Sequence, residues 1–113
     1  MIWHESLYLG EGIPKKNRKI RQIKRKINRG AFSFGLFLIV LCQDGTNLLE
    51  IIPARDLRQR AYPKKHLYIV GLAIGYGEAL ETASRIVLDV YKKTGGFAVK
   101  QYLLGPQKAG EGI

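Results

Sequence analysis

The chain has 113 residues and a formal net charge of +10, with 19 Lys and Arg against 9 Asp and Glu. At 46% apolar and 10% aromatic residues, general disorder is excluded. The single cysteine, Cys42, excludes an intrachain disulfide framework and favours a reducing compartment. The length fits one domain, which buries roughly two-thirds of its unfolded surface without a metal or disulfide staple.

The first residues, MIWHESLYLGEG, lack the basic start and apolar core of a signal peptide. The longest apolar run, Leu36 to Cys42, is too short to span a bilayer. These features set the expectation of a cytoplasmic bacterial protein with no membrane span. Residues 1–104 are expected to form the domain, with 105–113, GPQKAGEGI, as a flexible tail.

In chain order, Glu5 to Leu9 suit a short strand or a lead-in segment, which Gly10 and Gly12 break. Gly10-Glu11-Gly12-Ile13 recurs as Gly110-Glu111-Gly112-Ile113, but without flanking similarity that would make it a repeat. The stretch Pro14 to Gly30, PKKNRKIRQIKRKINRG, then holds nine Lys and Arg and no acid, leaving ten basic and nine acidic residues elsewhere. The net charge is therefore local. Pro14 suits a first helical position and Gly30 a helix C-terminus. Ile20, Ile23 and Ile27 recur at i, i+3, i+7 and give one apolar stripe, so a docked helix over 14–29 is predicted.

Phe32 to Gln43 reads as a strand that is apolar on one face and, in its middle, on the other. Asp44-Gly45-Thr46-Asn47 signals a turn, and Leu48 to Ile52 returns as the second strand of a hairpin spanning 32–52. Pro53 and Pro63 bracket ARDLRQRAY, a helix of about two turns. Residues 67–74, LYIVGLAI, are apolar throughout, as a central strand requires. Ala79, Leu80, Ala83, Ile86, Val87, Val90 and Tyr91 form the stripe of an amphipathic helix over 77–94. Glu78 and Glu81 stand at its start, Lys92 and Lys93 at its end, and Gly95 just beyond. Phe97 to Leu104 suits a short strand with a helical end. The predicted class is α+β: a small, mainly antiparallel sheet packed with a basic N-terminal helix and a long amphipathic helix. Because both sheet faces are apolar, either the helices divide between them or a second copy of the chain closes one.

The basic helix is poorly arranged for an isolated helix. Lys15 and Lys16 lie at the positive end of its dipole. Lys15/Lys19, Arg21/Arg25 and Arg25/Arg29 are like-charge i, i+4 pairs, each costing about 0.2–0.5 kcal/mol. An anionic partner relieves that repulsion, and nucleic-acid phosphate is the commonest. Lys15, Lys16, Arg18, Lys19, Arg21, Lys24, Arg25, Lys26 and Arg29 are thus the candidate contacts to DNA or RNA. The competing readings are a solvated face, an acidic protein, or an anionic membrane. Three isoleucines without Trp, Phe or Leu make a narrow face for the last.

Other motifs carry less. Arg29-Gly30-Ala31-Phe32-Ser33-Phe34 approaches an RNA-recognition run but has its aromatics one position out of step, which turns them to the opposite sheet face. Gly75 and Gly77 fit two glycines of a dinucleotide fingerprint, yet Leu80 stands where the third belongs; with Gly71 they read as packing and turn glycines. His4, His66 and Cys42 offer neither metal-ligand spacing nor a catalytic pair, so no enzyme activity, metal or cofactor is expected.

The run from Pro63 to Tyr102, together with the N-terminal YLGEGIPKKNRKIRQIKRKI and the strand after it, resembles small cytoplasmic proteins of anaerobic bacteria. That resemblance covers nearly the whole chain and implies no activity, ligand or site. The leading expectation is a non-enzymatic module binding nucleic acid or a ribonucleoprotein through the basic helix. The alternative is an assembly module that homodimerises through an apolar sheet face, with the basic helix only solvated.

Overall fold

The computed structural model describes residues 2–30, 35–41, 49–58 and 67–104. They form β1 (Ile2–Leu9), α1 (Asn17–Asn28), β2 (Leu36–Leu41), β3 (Leu49–Pro53), a 3-10 turn (Ala54–Arg58), β4 (Tyr68–Ile74) and α2 (Tyr76–Thr94). A short helix follows over 99–104. The expected turn at 44–47, Phe32, Phe34, Cys42, His66 and the tail 105–113 lie outside the described residues.

The strands form one sheet in the order β1-β4-β2-β3. The pairs β2/β3 and β2/β4 are antiparallel and β1/β4 is parallel. This is a small α+β fold with the predicted hairpin at one side and the predicted central strand inside. Strand β2 alternates cleanly. Leu36, Leu38 and Val40 join Ile69, Leu72, Ile52 and Ile27 on one face. Ile39 and Leu41 join Val70, Ala73, Ala79, Ile86 and Val90 on the other. The helices therefore divide between the two faces, α1 on the first and α2 on the second.

Strand β4 is not regular. Ile39 faces Gly71 but Val40 faces Ile69, so one extra residue is inserted there as a bulge. Space is tight at that point: a Cβ at Gly71 would lie 3.1 Å from the Tyr8 carbonyl oxygen and 3.2 Å from Ile39 Cδ1, so a side chain there would push on both. The pairing of β1 also slips, with Trp3 opposite Ile69 and Tyr8 opposite Gly71. β1 is longer than the predicted 5–9 because its N-terminal residues add parallel to β4 (the Ile2 amide donates to the Leu67 carbonyl at 2.7 Å). Its weak apolar alternation concealed this.

Two predicted boundaries are corrected. α1 starts at Asn17, not Pro14: Ile13 is buried, residues 14–16 are non-helical, and Lys16 takes the N-cap position in an extended conformation at φ −83°, ψ 133°. Residues 97–104 contain no strand: Val99 and Leu103 are buried and Tyr102 is half-buried, a spacing of three and four residues that selects a helix against the α2 core.

α2 is tied to β1 by polar contacts on one flank. The Tyr8 hydroxyl donates to Asp89 Oδ2 at 2.6 Å, and Arg85 Nη2 donates to the Leu9 carbonyl at 2.6 Å. Burial first, then the bond to Asp89 and its negative charge, push the Tyr8 phenol far above the ordinary tyrosine range. A folded value above the unfolded one gives a contribution that is complete below about pH 10 and declines as pH rises toward the folded value. Tyr8→Phe should therefore cost about 1–3 kcal/mol in urea denaturation. The gap between wild type and variant should stay flat below about pH 9 and shrink above about pH 10.

Candidate nucleic-acid interface

The placement of α1 begins with the turn before it. The Gly10 amide donates to the Leu72 carbonyl at 2.9 Å, and Ile13 closes the turn back onto Gly10 at 3.1 Å. Glu78, in the first turn of α2, then grips both sides of the junction. Its Oε1 accepts from the Gly12 amide at 2.8 Å and its Oε2 from the Ile74 amide at 2.7 Å. The sequence marks Glu78 only as a helix-dipole residue; its second role depends on a loop 66 positions away. Ile13 is buried in the same core as Ile27, and the chain then enters α1.

The isoleucine stripe docks unevenly. Ile27 is fully buried, Ile23 is partly buried against the same core, and Ile20 is half-buried beside β1. Burying Ile27 contributes on the order of 1.5–3 kcal/mol. The C-terminal half of α1 is therefore the anchored half. Arg29 ends it with its amide on the Arg25 carbonyl, and Gly30 follows at φ 78°, as expected for a helix C-terminus.

All nine predicted cations lie on this one element and its lead-in, and eight of them are exposed; Lys24 is half-buried. Helical spacing sorts them. Arg18, Arg21 and Arg25, at i, i+3, i+7, form the ridge directed away from the buried isoleucines, and Arg29 extends it. Lys19 and Lys26 flank it on one side, lining a shallow groove with Ile13, Leu36 and Ile74. On the other side, Arg21 and Lys24 line a groove of about 540 Å³ between α1 and β1, with Lys15, Ile20 and Glu5. Lys24 Nζ sits 5.4 Å from the Trp3 ring centroid, a cation–π contact that no local spacing reveals. Lys15 Nζ donates to the Gly10 carbonyl at 3.4 Å.

Among the described residues none of the nine forms an ion pair; the pair found there is Arg55–Asp56, at 3.9 Å. Glu5 is the one carboxylate that lines either groove beside α1. The helix also has no acidic residue in its first turn and no side-chain cap. Among the described residues the surface is thus a strip of cations without ion pairs on a docked helix, with Lys15 at its start also lining a groove beside Glu11, Glu78 and Glu81.

The remaining candidates are dispersed. His4 Nδ1 is 3.0 Å from the Tyr68 hydroxyl beneath β1. Gly75, at φ 87°, makes the tight turn from β4 into α2, and Glu78 occupies that helix start. Among the described residues no helix is long and apolar enough to cross a membrane. No protein-family model, curated protein or solved structure matches the chain.

Two outcomes follow from this geometry. Glu78→Ala, which strands the Gly12 and Ile74 amides, should lower stability by about 1–3 kcal/mol in urea denaturation, and Glu78→Gln should recover part of the loss. Lys16→Asp supplies the missing cap and a favourable charge at the dipole. It should raise stability by about 0.5–2 kcal/mol, read as an increase in Tm.

Proposed function

We propose that the protein is a non-enzymatic nucleic-acid-binding module whose α1 lies along a phosphate backbone. The observation that carries this reading is the exposed ridge of Arg18, Arg21, Arg25 and Arg29, flanked by lysines, none of which is ion-paired among the described residues. Arginine suits phosphate because its planar fork donates two parallel hydrogen bonds and cannot lose its charge. Contacts of this kind set affinity and orientation without reading bases, so the expected preference is for backbone rather than sequence. A ribosomal or other ribonucleoprotein surface presents the same phosphate chemistry.

The test is fluorescence anisotropy with labelled single- and double-stranded DNA and RNA oligonucleotides across a salt series. Binding at low salt should weaken steeply, with a log–log slope of about −4 to −8 if five to nine phosphates are engaged. Arg18→Glu with Arg25→Glu should weaken binding at least about tenfold, since the pair removes two phosphate contacts and adds two repulsive charges. An absence of binding to every oligonucleotide at low salt overturns the proposal.

A further inference from the structure

α2 buries Ala79, Thr82, Ile86 and Val90, and its flank bearing Asp89 and Arg85 is tied to β1. Its opposite flank and outer crest carry Tyr76, Leu80, Leu88 and Tyr91. Phe97 from the following turn stacks on Tyr91 at 5.2 Å with 26° between the rings. These five side chains are 47–61% exposed. The outer side of a surface helix ordinarily carries charged and polar residues. Here it carries an apolar strip with Ser84 near its centre.

The strip is self-complementary. Leu80 and Leu88 stand four residues either side of Ser84, and Tyr76 and Tyr91 stand eight before and seven after it. Two antiparallel α2 helices related by a two-fold axis at Ser84 would set Leu80 of one against Leu88 of the other. Tyr76 would then meet Tyr91 of the second copy. Residues four apart form the ridge used in the commonest helix–helix packing, and a serine at the crossing permits interaxial distances of about 8–10 Å.

Charge selects the same occupant. A chain at +10 repels its own copies. α2 is balanced, with Glu78, Glu81 and Asp89 against Arg85, Lys92 and Lys93, and it lies on the sheet face opposite α1. This is the face where a second copy can approach without bringing the two basic helices together. Three half-exposed aromatics and two leucines present on the order of 400–500 Å² per copy, judging from aromatic side-chain areas of about 150–250 Å². That matches the largest apolar patch of a typical monomer, about 300–600 Å², which is often a functional surface. Half-buried Val87, and Phe37 with its ring 5.8 Å from that of Tyr76, extend it toward the roughly 800 Å² per partner of a standard interface.

We infer that the protein forms a two-fold dimer through the outer face of α2, with the axis at Ser84 and the two basic helices on opposite outer surfaces. Dimerisation is independent of the nucleic-acid reading, and the experiment separates them. Sedimentation velocity of nucleic-acid-free protein from about 2 to 200 µM, at a salt concentration of about 0.3 M to screen the basic helices, should show a monomer–dimer equilibrium. Leu88→Glu and Leu80→Glu, each with helical content verified by circular dichroism, should weaken it at least about 100-fold. Arg18→Glu with Arg25→Glu should leave it unchanged. In a Cys42→Ser background, Ser84→Cys should cross-link two chains on mild oxidation, whereas Arg55→Cys, on the exposed 3-10 turn, should not. A monomer throughout the range, a dimer indifferent to both leucine changes, or no cross-link through Ser84→Cys overturns the inference.

Discussion

The structure depends on a sheet whose inner strands are apolar on both sides. β2 sends Leu36, Leu38 and Val40 one way and Ile39 and Leu41 the other, and β4 divides Ile69 and Leu72 from Val70 and Ala73 in the same manner. Neither face tolerates water, so each must be covered, and α1 and α2 are the long helices that do it among the described residues. The cover on one face is α2, which buries Ala79, Thr82, Ile86 and Val90. The cover on the other is a helix whose charges repel one another. Hydrophobic burial of Ile27 and Ile23, not helix propensity, holds that element in place.

That compromise explains the features around α1. Its first turn has no cap and no acid, and its lead-in is fixed instead by Ile13 and by the carboxylate of Glu78 on the opposite side of the junction. A helix designed only to cover a sheet would use acidic residues at its start and mixed charges on its outer side. α1 places arginines on its crest and lysines on its flanks. The local stability forgone in this arrangement is what an anionic partner would return.

Much of the fold was legible because it is written in short-range patterns. The alternation of β2 and β3, the unbroken apolar run of β4 and the capped stripe of α2 each lie within a window of twenty residues. The isoleucine spacing and Gly30 were enough to show that the basic stretch is a helix and where it ends. What was hidden depends on pairs distant in sequence. Pro14 looked like a helix start until Glu78 and the burial of Ile13 displaced that start to Asn17. The length of β1 was invisible because an edge strand with a slipped register need not alternate cleanly. The Tyr8–Asp89 bond and the Trp3–Lys24 contact have no local signature at all. For 97–104, apolar residues in a short run were compatible with both periods, and the contact of Val99 and Leu103 with the α2 core decided between them.

The parallel pairing of β1 with β4 has a consequence for the order in which the molecule assembles. Ile2 lies opposite Tyr68, so β1 has its partner 66 residues later in the chain. Until that partner emerges from the ribosome, β1 cannot form this pairing, and the Glu78 that fixes the lead-in to α1 emerges later still. Such long-range closure slows folding. The most basic segment of the chain therefore leaves the exit tunnel before the strand and the carboxylate that fix its lead-in.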